Sequence, residues 1–410
     1  MEQSIRIKKI VISIILIILL FSLGGCVGQK ELNNLGIINL MGIDLTADGE
    51  YKVTVHILKP STGQGGEPAN APGPGSAIWV GQAEGETIEK AVKEIRAKTS
   101  WLLIWSHCDI FVLGNKLCRT GIGDVVDFLA RNEEIRLTSN VITATDKAWQ
   151  ILKHSPEEKK EPVADQIDGL IKNIADWSKA YNLNLKEVMA RLASGNQEVV
   201  LGKLELVRAE PVKEGQESSS SSEGKTDKED GLKKVLKMEG AAVFKKDKLI
   251  GSLTPEETRG YMRIIDEIKL HSMDLFLSGH NSPVSLDTYN SQIEIKWDSA
   301  NPKTFLISIK ELSRLAEQDS EISQTSLLTA NKIESLKEEA VKKEIISTIK
   351  KSQQLQSDIF GLKGIVKQKS PSTWEKLKQD WEKNFSNLSF KVEVESILKQ
   401  VGKIHKPIFE

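Results

Sequence analysis

His107-Cys108-Asp109 brings together the three residue types of a thiol hydrolase: a sulfur nucleophile, an imidazole base and a carboxylate to orient it. The spacing works against that chemistry. Asp109-Ile-Phe-Val-Leu113 reads as a short buried strand, and neighbours along a strand point to opposite faces, so His107 and Cys108 cannot readily share a proton. The segment reads as a buried cysteine beside a polar turn residue. Gly224-Lys225-Thr226 matches the end of a phosphate-binding loop, but that loop requires glycine where Ser219 stands, and no strand leads into it. It reads as part of a charged linker. The histidines at 56, 107, 154, 271, 280 and 405 contain no HExxH and no pair at helical spacing, so no metal ligand is expected among them. Glu133-Glu134 beside Arg131 and Arg136 reads as a surface ion cluster, and no carboxylate pair stands in a context expected to shift its pKa. No catalytic, metal or cofactor residue is assigned, and the expectation is a protein without enzymatic activity.

One cysteine has a chemistry written around it. Arg6, Lys8 and Lys9 precede an apolar run from Ile10 to Phe21, interrupted only by Ser13, and Leu23-Gly24-Gly25-Cys26 follows. Ile10 to Leu23 is 14 residues, the length of a signal-peptide core and short of the ~20 that a spanning helix needs. The small residues and the cysteine resemble the lipobox of bacterial lipoproteins. That resemblance implies cleavage before Cys26 and a diacylglyceryl thioether on it, with acyl chains of the palmitate class. Two such chains anchor stably at ~0.8 kcal/mol per buried methylene, whereas one binds only marginally. The alternative is an uncleaved signal anchor with Cys26 as a bystander. On the favoured reading the mature protein sits outside the cytoplasmic membrane, held at its N-terminus.

Composition narrows the rest. The 410 residues carry 56 Lys plus Arg against 57 Asp plus Glu, a net charge of -1, which lacks the basic excess of nucleic-acid binders. With 28% charged and 39% hydrophobic residues the chain is globular in type. Its length suggests two or three domains, because single cores stop growing near ~250–300 residues. Three cysteines cannot build a disulfide framework or a four-thiolate zinc site. Cys108 and Cys118 could pair in an extracytoplasmic protein, but two separate core thiols are the favoured state.

Periodicity supplies the elements. Tyr51–Leu58 alternates as a half-buried strand, the Gly/Pro-rich stretch after it is a loop, and Ala77–Ala83 is the return strand. Ile88, Ala91, Val92 and Ile95 mark one helix face, and Ile122, Val125, Val126 and Leu129 another. Leu137–Ala144 reads as a strand, Asp165–Ala180 and Leu185–Ala193 as helices, and Val199–Arg208 as extended. Residues 210–231 are Ser-rich and charged and are expected to be disordered. Strand-like flanks favour a long hairpin loop there over a domain boundary. Thr254-Pro255-Glu256-Glu257 is an explicit helix start, with Thr at the N-cap and Glu closing a capping box. Ser291–Trp297 and Phe305–Glu311 alternate as strands. A long helix is expected at about 325–358, with Ile333, Leu336, Ala340, Ile345 and Ile349 along one face. Ser372-Thr-Trp-Glu375 reads as another capping-box start. Trp374, Leu377, Trp381 and Phe385 form a stripe, by default core and otherwise a partner-binding ridge. Leu388–Val394 is the last strand.

An ordered set of segments resembles one known family. It comprises Glu31-Leu-Asn-Asn-Leu35, Met41-Gly-Ile-Asp44, Glu86-Thr-Ile-Glu-Lys-Ala91, Ser106-His107 and Arg131-Asn-Glu-Glu-Ile-Arg136. It continues with Glu239-Gly-Ala-Ala-Val-Phe244, Leu249-Ile-Gly251, Glu257-Thr-Arg-Gly260, Asp358-Ile-Phe-Gly361 ahead of Trp374 and Trp381, and Gly402-Lys-Ile. The set resembles the Ger(x)C spore-germination lipoproteins, the C subunits of GerA-type nutrient receptors. In place of the family's Trp-Asp after the lipidated cysteine stand Val27-Gly28. The resemblance implies a non-enzymatic, lipid-anchored receptor subunit that works with A and B subunits at the outer face of the spore inner membrane, without cofactors. The alternative function is a lipid-anchored solute-binding module of the cell envelope. The fold expected is α/β mixed (α+β), with three small extracytoplasmic lobes. Their bounds are 1–25 signal peptide, 26–150 N-terminal lobe, 151–265 middle lobe with the loop 210–231, and 266–410 C-terminal lobe with the long helix.

Overall fold

In the computed structural model, Ser13 and residues 34–58, 78–154, 161–209, 234–268, 270–277, 283–317 and 327–400 are described. Cys26, the signal segment, Gly224-Lys225-Thr226, the Ser-rich run, His280 and His405 lie outside them. No described helix is long and apolar enough to cross a membrane.

Leu35–Leu45 (β1) sits at the middle of the larger sheet and is buried without a break from Leu40 to Asp44. Such a run marks a strand covered on both faces. Its residues do not mark it as a strand in sequence, since this continuous burial leaves no alternation to read. Tyr51–Leu58 (β2) and Ile78–Gly85 (β3) extend the sheet antiparallel on one side. Ile88–Arg96 (α1) packs on β2 and β3 through Ile88, Ala91, Val92 and Ile95, and Thr87 caps it by accepting from the Lys90 amide. The short Leu102–Ile104 (β4) and then Ile110–Leu113 (β5) run parallel to β1. Asn115–Thr120 (α2) and Gly123–Arg131 (α3) lead to Asn140–Ala144 (β6), parallel to β5. Ala148–Leu152 (α4), Val163–Lys172 (α5) and Ile174–Trp177 (α6) follow. The single helix expected over Asp165–Ala180 is therefore interrupted at Asn173.

Leu183–Asn184 (β7) borders β6, and Leu185–Ser194 (α7) starts at an Asn184/Glu187 capping box. Val200–Arg208 (β8) runs parallel to β6, so the sheet is continuous across residue 150. Lys234–Lys245 (β9) pairs antiparallel with β8 from Val200↔Val243 to Arg208↔Lys234. The Ser-rich residues thus connect two strands of one hairpin. Lys248–Leu253 (β10) completes the order β10-β9-β8-β6-β5-β1-β2-β3.

Pro255–Ile264 (α8) begins as its sequence indicates, with Thr254 and Glu257 each accepting the other's backbone N–H. His271–Phe276 (β11), Pro283–Trp297 (β12) and Thr304–Glu317 (β13) form an antiparallel meander. Leu327–Gln354 (α9) crosses back over it, ending four residues before Asp358. After Leu362–Lys369 (α10), Pro371–Leu377 (α11) and Trp381–Ser386 (α12), Ser389–Gln400 (β14) joins parallel to β13. The helix expected from Ser372 starts earlier, with Ser370 at its N-cap and Pro371 at its first position. Ser370 spends its hydroxyl on Thr373 and makes no capping bond to the backbone. The result is a mixed α/β protein with two sheets among the described residues.

The outer edge of β14 is partly closed by α9. Glu338 accepts the Ser396 amide at 3.0 Å and Glu334 the Leu398 amide at 2.7 Å. Capping edge amides in this way removes a template for unwanted strand pairing.

Candidate functional site: the cleft beside Asp358

Asp358-Ile359-Phe360-Gly361 fills the joint between α9 and α10. Gly361 has φ +74°, a left-handed conformation that glycine adopts without steric cost. The turn it makes aims the first amides of α10 back at Asp358. The carboxylate accepts from Leu362 N at 3.0 Å, from Lys363 N at 2.9 Å and from Trp381 Nε1 at 3.2 Å. Burial pushes the Asp358 carboxyl up to about 6, against the pull of these three donors and of the Lys363 ammonium. Its backbone is tied as well: the Asp358 carbonyl accepts from Glu198 N at 3.1 Å, and Gln197 Nε2 donates to Ile359 O at 2.8 Å. Ser357 Oγ donates to Phe244 O at 2.8 Å. One short motif therefore binds α10, α12, β9 and the 196–198 strand approach together.

A cleft of about 750 Å³ opens beside this joint, lined among others by Arg191, Glu198, Lys363, Lys367, Trp374 and Trp381. Lys363 pairs with Glu198 at 3.4 Å across it. Arg191 reaches inward, donating to Tyr181 Oη and Tyr261 Oη, each at 2.9 Å, and the two tyrosines meet edge to face at 5.1 Å. Of the tryptophan stripe, Trp381 and Phe385 are buried while Trp374 is half-buried at the cleft, 5.5 Å from Trp381. The stripe is core with one flank on the cleft wall.

A second constellation is a charge cluster buried between α8, α9 and the smaller sheet. Glu311 receives Arg263 Nε at 2.8 Å and Lys337 Nζ at 2.8 Å, all three side chains having no exposure. Lys337 also donates to Thr288 Oγ1 at 2.7 Å and to Ser313 Oγ. Arg259 and Arg263 both pair with Glu344. Arg263 Nη2 lies 2.7 Å from His271 Nε2, and burial and that guanidinium lower the histidine pKa to about 2, which leaves it a neutral acceptor. The sequence expectation concerned carboxylate pairs and did not foresee this single carboxylate, whose pKa Arg263 and Lys337 lower against its burial. Parity carried a signal: Phe305, Ile307, Ile309 and Glu311 share one strand face, and Lys337 falls four residues from both Ile333 and Val341.

Other segments singled out by sequence also act as pins. Asp44 accepts from Ala148 N at 2.8 Å and Trp149 N at 2.9 Å at the start of α4, and burial raises its pKa. A Cβ on Gly42 would meet Leu152 at 2.9 Å, so glycine lets α4 lie close on β1. In Glu257-Thr-Arg-Gly260, Glu257 closes the cap, Arg259 binds Glu344, and Gly260 admits α9. A Cβ at Gly260 would stand 2.2 Å from Thr348 Oγ1.

The thiol-hydrolase types do not converge. Cys108 is buried and its Sγ faces Ile110 O at 3.8 Å, while His107 is exposed with Nδ1 against Ser106 Oγ. Cys118 is buried with Sγ 3.7 Å from Leu113 O, and both cysteines are free thiols whose pKa burial pushes up. Arg131 pairs with Asp127 and Arg136 with Asp109, whereas Glu134 accepts the Trp105 amide, so the Glu133-Glu134 region is not one cluster. Among the described residues no group of three or more His, Cys, Asp or Glu could hold a metal ion. His56 lies against Leu152 O, and His154 is half-buried.

Residues 28–206 match the family described as "Spore germination protein N-terminal domain", and residues 239–402 match "Spore germination B3/ GerAC like, C-terminal". The chain is 25% identical over 409 residues to Spore germination protein KC of Bacillus subtilis (strain 168), covering 98% of each chain. It is 24% identical over 400 residues to Spore germination protein B3 of the same organism, covering 96% of this chain and 98% of that one. The crystal structure of the GerBC protein shares the fold, with a TM-score of 0.54 at 19% identity over 87% of this chain and 96% of that chain.

Proposed function

Because the chain belongs to the Ger(x)C family of spore germination proteins, we propose that it is a non-enzymatic subunit of a nutrient germinant receptor. On this reading it is anchored through Cys26 at the outer face of the spore inner membrane and acts by contact with A and B subunits. The observation that carries it is the match of both halves of the chain to spore germination families, with the motif residues invested in framework. Asp44, Glu257, Arg259 and Asp358 hold helices to sheets and to one another. Such a scaffold biases a receptor only by meeting two of its states with different free energies.

Spores lacking this gene should fail to release dipicolinic acid with some nutrients while responding normally to a non-nutrient trigger. An unchanged response to every nutrient would refute the receptor role. For the anchor, Cys26→Ala is expected to move the protein out of the membrane fraction in a strain lacking the A and B subunits. Retention of that variant there would refute anchoring through Cys26.

The cleft of about 750 Å³ with convergent polar groups favours one second reading, a solute-binding module. Calorimetry with amino acids and sugars separates the two, since the receptor-scaffold reading expects no binding heat and millimolar or tighter binding supports the module.

A further inference from the structure

β1 begins at Leu35, nine residues beyond Cys26. An extended chain spans at most ~3.3–3.6 Å per residue, so a lipid on Cys26 would hold Leu35 within ~30 Å of its bilayer. The surface around the start of β1 is apolar and aromatic. Leu102, in parallel register with Leu35, is 45% exposed. Beside it, Trp101 meets Trp79 of the edge strand β3 edge to face, with ring centroids 6.1 Å apart at 81°. Both rings are half-buried, as are Leu58 and Ile78, the paired ends of β2 and β3 at the same end of the sheet. Arg96 and Lys98 are exposed on the stretch that leads from α1 into Trp101.

Tryptophan carries an apolar body and a polar N–H, which suits the headgroup level of a bilayer, and nearby cations suit anionic headgroups. We propose that the face formed by Trp79, Trp101 and Leu102 rests in the headgroup boundary of the bilayer that holds Cys26, so that the protein is seated and not merely tethered. This rests on the reading of Cys26 as the lipidated residue. A seat at one end of β1 stops the body from swinging on its tether and presents its sides to membrane neighbours in a constant orientation.

The test uses the full-length lipidated chain in phosphatidylcholine/phosphatidylglycerol vesicles, with Leu102→Cys or Val235→Cys carrying a polarity-sensitive thiol probe. Val235 is 46% exposed on β9 and pairs with Val207, toward the opposite end of the sheet. Cys108 and Cys118 are buried and do not compete for label. Flotation reads the anchor; emission wavelength and quenching by a doxyl group near the headgroup read the seat. Both variants are expected to float, with only the probe at position 102 shifted to shorter wavelength and quenched. Flotation with a water-like probe at 102, or with equal quenching at 235, overturns the seat and leaves the anchor standing. Loss of flotation by both overturns the Cys26 reading and the seat with it.

Discussion

Glu311→Gln is expected to lower stability by ~3–5 kcal/mol, the usual cost of removing one partner from a buried ion pair. The carboxylate lies between Arg263 and Lys337 with no solvent contact on any of the three. Without its charge, Arg263 keeps Glu344, but Lys337 keeps only the Thr288 and Ser313 hydroxyls. A buried ammonium paired with neutral groups alone is the source of the loss. Glu311→Leu with Lys337→Met is expected to be much more stable than Glu311→Leu alone, because removing both charges ends the desolvation penalty. Thr288 and Ser313, 3.3 Å apart, can then bond each other. Denaturant midpoints of the four proteins check this. A midpoint for Glu311→Gln equal to that of the parent would show that the pair is not buried as described.

The same cluster sets an acid limb. Burial alone would raise the Glu311 pKa, but Arg263 and Lys337 hold it well below the ordinary carboxylate range. Its contribution is therefore full above the unfolded-state value, about 4.3, and is lost as pH falls below it. His271 adds to this limb, since it protonates in the unfolded chain below about pH 6.5 but stays neutral in the fold. Glu311→Gln should flatten the part of the limb below about pH 4.3 and leave the histidine part in place.

Asp358→Asn is expected to cost ~1–3 kcal/mol, because an amide offers one acceptor oxygen where three N–H donors converge, and turns its NH2 toward at least one of them. The pH dependence has the opposite sign to that of Glu311. The Asp358 carboxyl titrates near 6 in the fold against about 3.9 unfolded, so the fold binds the extra proton. The parent's stabilisation from this site is full below about pH 4 and declines as pH rises to about 6. The difference between parent and Asp358→Asn should therefore be larger at pH 4 than at pH 7. A constant difference, or one that grows toward pH 7, would show that the three donors outweigh burial. Displacement of α10 and Trp381 should accompany the loss, read as a change in tryptophan emission.

Local rules were legible in the residues alone. The Thr254 capping box, the α1 stripe and the alternation of β12 and β13 each depend on neighbours within a few positions, so the amino-acid order determines them. The pairing of the strands on either side of the Ser-rich run was legible too, because both flanks read as strand-like. β1 was not, since a strand covered on both faces loses its period, and the helices that pack on it, α2 and α4, come from later in the chain. The inward parity of Glu311 and the apolar-face position of Lys337 were visible in sequence, but their compatibility was not. A buried charge is tolerable only beside its counter-charge, and here the two lie on different elements 26 residues apart. Asp358 stood out through its motif, yet its work depends on the turn at Gly361 and on Trp381, 23 residues further on. Sequence by itself determined the helices and strands whose signals are local, and it alone carries the reading of Cys26 as a lipobox cysteine. Tertiary structure decided which polar groups are buried together, because desolvation depends on neighbours in space and not on neighbours along the chain.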